Sequence, residues 1–156
     1  MLNKKTMIRI FEKLLSQSKK SYDELNAADG KIGDGDLGVT ILNGFEEIKN
    51  SIPNFNDDLG ENFMLCSQAF VKKSGSSFGT LIAFAFINIS KNLKKKTSAN
   101  HEDIIKIIDT ALNTILERGK TKLGDKTIAD SLDLIIKKLK DNSNYSEIFK
   151  SATKQA

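Results

Sequence analysis

The sequence predicts an all-α protein built as an antiparallel, up-and-down helical bundle or barrel. Three observations carry this. A single proline, Pro53, interrupts 156 residues, and proline is the residue that helix interiors exclude. Alternating β-branched runs, the mark of half-buried strands, are few. Apolar residues recur instead at three- and four-residue spacing in stretch after stretch, which lines one face of a helix. The length predicts one domain, residues 1–156, with room for a core.

The elements follow in order. Met7, Ile8, Ile10, Phe11, Leu14 and Leu15 stripe a helix over residues 3–19. Lys19-Lys20-Ser21 is a bend or a continuation, and Tyr22, Leu25 and Ala28 keep helical spacing beyond it. Val39, Ile41, Leu42, Phe45, Ile48 and Ile52 predict a helix over 38–52, ended by Pro53. A polar loop over 54–60 leads to a helix over 61–72, a small-residue loop over 73–77 and the most apolar helix, 78–93. Residues 98–101 form a loop with Ser98 or Asn100 as N-cap. Ile104, Ile105, Ile107, Ile108, Ala111, Leu112 and Ile115 build the next helix. A third loop spans 118–126, a helix 127–139, and a weak segment over 145–152 closes the chain.

The formal net charge of +4 is modest. The lysine clusters at 94–96 and 137–140 read as solvated helix ends. They lack the interleaved aromatics of a nucleic-acid surface, so no nucleic-acid partner is expected. A lone cysteine, Cys66, excludes an internal disulfide; its spacing with Phe63, Ala69 and Phe70 predicts a buried thiol. No secretory leader is visible, and the longest apolar run, 81–89, is too short to span a bilayer. A cytoplasmic location and no membrane partner are expected.

The chemistry gathers in Asp29-Gly-Lys-Ile-Gly-Asp-Gly-Asp-Leu-Gly38, three carboxylates and four glycines in ten residues. Asp and Gly are poor interior residues of helix or strand, so this is a loop. Carboxylates folded together repel unless a cation sits between them or their pKa values rise. All-oxygen ligands suit a hard cation such as Mg²⁺ or Ca²⁺. A helix starts directly after Gly38, and helix N-termini attract phosphate. Together these suggest metal-bridged phosphate. Gly33, Gly35 and Gly38 also match the G-x-G-x-x-G dinucleotide fingerprint. That motif should follow a buried strand, whereas residues 21–28 look helical. An EF-hand loop counted from Asp34 would place its glycine at Val39 and its last glutamate at Phe45. A plain Gly/Asp turn without ligand is the remaining reading. Two more Gly-bearing loops, 73–77 and 118–126, each precede a helix. In an up-and-down bundle, alternate connections share one end, so all three loops can gather there.

Gly33-Asp-Gly-Asp-Leu-Gly38 with Gly44-Phe45, then Ser74-Gly-Ser-Ser-Phe-Gly-Thr80, then Arg118-Gly-Lys-Thr-Lys-Leu-Gly-Asp-Lys-Thr127 with Asp130, resemble the L subunit of dihydroxyacetone kinase. The motifs occur in the family's order over nearly the whole chain. The resemblance implies an antiparallel helical barrel with ADP or ATP bound at one end. It implies that Asp29, Asp34 and Asp36 hold two Mg²⁺ ions. It places Leu37, Gly38, Val39, Thr40, Ser76 and Ser77 at the nucleotide, with N–H and hydroxyl groups of 38–40 and 76–77 on phosphate, and Gly119 and Ile128 by adenine and ribose. It implies an Mg-dependent phosphotransferase, with no side-chain catalyst, that passes phosphoryl to a triose held on a dihydroxyacetone-binding partner subunit. In one form of the family a phosphotransferase-system protein recharges the ADP. Phosphoryl transfer asks mainly for positioning and charge neutralisation; the sole histidine, His101, is expected on a plain surface loop. Leu37 stands where the family often has His, and Thr40 where Asn is common. The family's chains also run on past residue 156 with a segment that helps cover the nucleotide, so the resemblance implies either a fragment of a longer chain or a naturally short or degenerate form with a more open, wetter site.

The alternatives are a related sugar or fatty-acid kinase domain and a non-catalytic nucleotide-binding or regulatory module.

Overall fold

The computed structural model describes residues 1–73 and 75–141. Seven helices run α1 (Lys4–Lys20), α2 (Tyr22–Asp29), α3 (Leu37–Ser51), α4 (Leu59–Lys73), α5 (Ser77–Asn92), α6 (His101–Gly119) and α7 (Ile128–Asp141). A 3-10 turn, Ile52–Asn54, holds Pro53 at the end of α3. The weak segment expected over 145–152 lies outside the described residues, as does Ser74.

Cross-helix pairs fix an up-and-down order. Asn26 meets Gly38 and Lys19 meets Glu46, so α1 and α2 together run antiparallel to α3. The Ser67 hydroxyl donates to the Ala83 carbonyl, setting α4 against α5. Asn88 donates to Thr114 and Asn92 to Thr110, setting α5 against α6. His101 meets Leu139, setting α6 against α7. The loops 30–36, 75–76 and 120–127 therefore lie at one end. The bend at Ser21 is slight: its N–H still donates to Gln17 and its carbonyl still accepts from Leu25.

The core is aromatic. Phe45 and Phe70 stand edge to face at 5.4 Å, and Phe86 lies 5.7 Å from Phe70 and 6.2 Å from Phe11. Each such pair contributes roughly 0.5–1.5 kcal/mol beyond the area it buries. Cys66 is fully buried within this cluster, and burial pushes its thiol pKa up. Buried Asn62 is satisfied by both backbone groups of Asn56, at 2.9 and 2.8 Å, without which its amide would destabilise the core.

Several boundaries differ from expectation. Helix α4 starts two residues early because Asp58 caps it, its Oδ1 accepting from Gly60 and Glu61. A two-residue strand β1 (Leu2–Asn3) pairs antiparallel with β2 (Ser98–Ala99); two residues carry no period to read. Lys94–Lys96 lie beyond α5 rather than on its last turn, and Lys96 pairs with Asp103. His101 is no plain-loop residue: it is the first residue of α6, half-buried, with Nε2 3.0 Å from the Leu139 carbonyl.

Candidate nucleotide and metal site

The acidic loop winds around Asp29, the last residue of α2. One carboxylate oxygen of Asp29 accepts the N–H groups of Gly35 (2.8 Å) and Asp36 (3.1 Å). Its backbone carbonyl accepts those of Ile32 and Gly33. Gly35 takes a positive φ of 78°, which a residue with Cβ adopts only under strain. The result brings one carboxylate oxygen each from Asp29, Asp34 and Asp36 within 4.8 Å of one another. Partial burial, and then the charges of Asp34 and Asp29, raise the Asp36 pKa above the ordinary carboxylate value. Among the described residues no lysine or arginine forms an ion pair with any of the three. An oxygen-only, negatively charged, half-exposed cluster fits a hard divalent cation.

Helix α3 starts against α2 at very short range. A Cβ on Gly38 would lie 2.3 Å from the Tyr22 carbonyl oxygen, so only glycine fits. The Asn26 side-chain oxygen accepts the N–H of Gly38 (2.7 Å) and Val39 (3.3 Å), and the Thr40 N–H donates to the Asp36 carbonyl. The amides of 38–40, expected on phosphate, thus have partners within the chain. Asn26 was not singled out from the sequence. An asparagine twelve residues before its partner carries no local capping signature.

The second loop joins the first through hydroxyls. Ser76 is the N-cap of α5, accepting the Gly79 N–H at 3.1 Å, and the buried Thr40 donates to it at 2.8 Å. Ser77, the first residue of α5, is exposed. The third loop is held by Asp130, which accepts from Gly124 (2.6 Å) and Thr127 (2.9 Å). Thr127 in turn accepts from Ala129, a reciprocal cap on α7. The two amide bonds hold the Asp130 pKa below the usual carboxylate value.

Between the loops opens a cleft of about 560 Å³, lined by Leu25, Leu37, Ile41, Phe78, Leu81, Ile115, Gly119, Thr121, Thr127 and Ile128. Its walls are mostly aliphatic, with Thr121 and Thr127 among the lining residues. It suits a flat, largely apolar ring more than a charged group. Leu37, Gly119 and Ile128, three sequence-predicted residues far apart in the chain, line this one cleft. Leu37 also follows Asp36 directly, so cleft and carboxylates adjoin.

An all-α domain with an acidic cluster and an apolar cleft beside each other among the loops at one end is the class these features define. The DAK2 domain model matches residues 31–156, and the chain belongs to that family. Asp34 and Asp36 fall inside the matched span; Asn26 and Asp29 precede it. The chain is 29% identical over 143 residues to the PEP-dependent dihydroxyacetone kinase 1, ADP-binding subunit DhaL, of Listeria innocua, covering 91% of this chain and 70% of that one. It is 31% identical to the PTS-dependent dihydroxyacetone kinase, ADP-binding subunit DhaL, of Lactococcus lactis, covering 81% of this chain and 63% of that one. It is 33% identical to the probable dihydroxyacetone kinase of Dictyostelium discoideum, where it spans 83% of this chain but 22% of the relative. In fold it superposes on the C. freundii dihydroxyacetone kinase with a TM-score of 0.82 at 23% identity, covering 99% of this chain and 28% of that one. A second structure of that kinase, in complex with AMP-PNP and Mg²⁺, gives 0.80 at 24% identity, covering 95% of this chain and 27% of that one. The likeness of fold settles the all-α architecture.

Proposed function

We propose that this chain is the ADP- or ATP-binding part of a dihydroxyacetone kinase, an Mg-dependent phosphotransferase acting on a triose held by a partner subunit. The observation that carries the reading is the adjacency of the Asp29–Asp34–Asp36 cluster to the cleft lined by Leu37, Gly119 and Ile128. Relatives that are ADP-binding subunits support it. Two Mg²⁺ ions on three carboxylates would leave a net positive site that neutralises phosphate charge.

The chain's own groups divide the rest of the work. Leu37, Gly119 and Ile128 take the base and ribose against apolar walls. Ser76 and Ser77, at the start of α5, face the phosphates, where the helix N-terminus favours anions. Asn26 holds the Gly38 and Val39 amides and so fixes the start of α3 beside the metal loop; these amides position the loop rather than meet phosphate. Thr40 locks α3 to Ser76. A phosphotransferase-system protein as the source of phosphoryl groups goes with the reading, given the PTS-dependent relative.

Calorimetric titration of ADP, with and without Mg²⁺, into wild type and Asp34→Ala tests this. Binding that requires Mg²⁺ and is lost in the variant is expected. Binding that ignores both would sink the metal–phosphate site. The second reading, a non-catalytic module that binds and presents nucleotide, is favoured by one observation: the α3 amides are already occupied by Asn26. Binding without phosphoryl transfer to any triose-loaded partner is its signature.

A further inference from the structure

Helices α5 and α6 meet along one seam of rungs. Asn92 donates to the Thr110 hydroxyl at 2.9 Å and Asn88 to that of Thr114 at 3.0 Å. Four residues further along each helix, the Arg118 guanidinium lies over the Phe84 ring, 3.8 Å from its centroid. Residues four apart share a helix face. This pair is therefore the third rung of the same seam, and the one nearest the loops that carry the acidic cluster. Arg118 is exposed, and among the described residues it forms no ion pair. Arginine occurs only at 9 and 118 among 24 basic residues, so lysine serves at nearly every other positive position. A planar guanidinium stacks on an aromatic face as an ammonium on a flexible stem does not.

The rung adjoins one wall of the cleft. Leu81 lies one turn before Phe84 on α5, Ile115 one turn before Arg118 on α6, and Gly119 follows Arg118 directly; all three line the cleft. A Cβ on Gly119 would come 3.6 Å from the Leu81 side chain, so Gly119 stands beside Leu81. Immediately beyond, the chain leaves α6 through Lys120 at φ 51°. A residue with a Cβ is strained in that left-handed region and stays there only where its neighbours hold it. On the loop side the Asp125 carboxylate does so, accepting from the Thr121 hydroxyl and the Lys122 N–H. On the helix side stands Arg118 on Phe84.

We propose that Arg118 is a positioning residue for nucleotide binding: stacked on Phe84, it pins the end of α6 to α5 and sets Gly119 and Leu81 at the spacing that receives the base. The inference rests on the nucleotide reading above. Arg118 acts through Phe84 and not on the ligand. Without it the last turn of α6 frays, Lys120 relaxes, and the wall around Gly119 loosens. The Asp29–Asp34–Asp36 cluster, on another loop, keeps its shape.

Calorimetry on the full chain with two probes, Mg-ADP and Mg-pyrophosphate, separates the base wall from the metal–phosphate site. Thermal melts establish that each variant is folded. Arg118→Gln is expected to weaken Mg-ADP binding about fivefold and to leave Mg-pyrophosphate binding unchanged. Arg118→Lys, which keeps the charge but not the planar stack, is expected to recover part of the loss. Phe84→Leu is expected to weaken Mg-ADP by a similar factor, and the double variant to lose no more than the worse single one. Equal weakening of both probes in Arg118→Gln would put the guanidinium on phosphate and overturn the positioning role. Additive losses in the double variant would overturn it too, as would Mg-ADP affinity in Arg118→Gln within about twofold of wild type. A wild-type chain that binds no Mg-ADP overturns the nucleotide reading and the role of Arg118 with it.

Discussion

The side-chain oxygen of Asn26 accepts the Gly38 N–H at 2.7 Å, so one amide bridges the two shoulders of the acidic loop. The same oxygen takes the Val39 N–H. It therefore acts as the N-cap of α3 from a different helix, in place of Asp36, whose side chain makes no capping bond. Asn26→Ala removes it and is expected to cost about 1 kcal/mol of stability, the usual worth of a cap. Urea denaturation checks this as a lowered midpoint with unchanged slope. Because the cap also fixes the loop, the variant's affinity for Mg-ADP is expected to fall more than its stability.

Asp36 gives a prediction with an unusual sign. Its folded pKa lies above the ordinary value of 3.8, through partial burial and the charges of Asp34 and Asp29. A raised carboxylate pKa means that the folded state holds its proton more tightly than the unfolded chain. No penalty exists well below pH 3.8. It grows as pH rises through that value and is complete above the folded pKa. At neutral pH and without divalent cation, Asp36→Asn is therefore expected to raise Tm. With millimolar Mg²⁺ the order reverses, because a cation that binds only the folded wild type stabilises it. Thermal melts of both chains with EDTA and with Mg²⁺ decide it; a variant less stable in both would contradict the argument.

How much of this was legible in the chain depends on the range of each signal. The helices were readable because a 3.6-residue period is written into the local sequence, as in the stripe from Ile104 to Ile115. The gathering of three loops at one end was readable too, since it follows from counting antiparallel helices. The partners of the α3 amides were not: Asn26 reaches them across twelve positions, and only folding brings α2 beside α3. The helical setting of His101 failed for a similar reason. Asn100 caps α6 through a capping box with Asp103, and the Leu139 carbonyl beside the imidazole comes from another helix. The cleft was half legible. Gly119 and Ile128 came from resemblance, while Leu25, Phe78 and Leu81 look like ordinary core residues until the loops place them on a wall.

Asp130 titrates in the opposite sense from Asp36. Hydrogen bonds from Gly124 and then Thr127 lower its pKa below 3.8. A lowered carboxylate pKa contributes stability that is fully present above 3.8 and lost as pH falls through the folded value. Asp130→Asn keeps the shape but loses the charge that two amides surround. The wild-type advantage in Tm over this variant is expected to be constant from pH 7 to about pH 5 and to shrink below about pH 4. A pH series of melts checks it, and an advantage that grows on acidification would contradict the assignment.

A substitution at Ile128 tests the cleft apart from the carboxylates. It is the first residue of α7, 44% exposed, and it lines the cleft with Leu37 and Gly119. Its exposure lets a larger side chain be carried without disturbing the core, so Ile128→Arg is expected to change stability by no more than about 0.5 kcal/mol. A guanidinium lying across an aliphatic wall should nonetheless exclude a nucleobase, weakening Mg-ADP binding about tenfold or more. The Asp29–Asp34–Asp36 cluster is untouched, so a divalent cation added alone should stabilise wild type and variant equally in a thermal melt. Loss of nucleotide affinity with the cation response kept would assign the base to this cleft. Unchanged nucleotide affinity would move the base elsewhere and leave the cleft to another ligand.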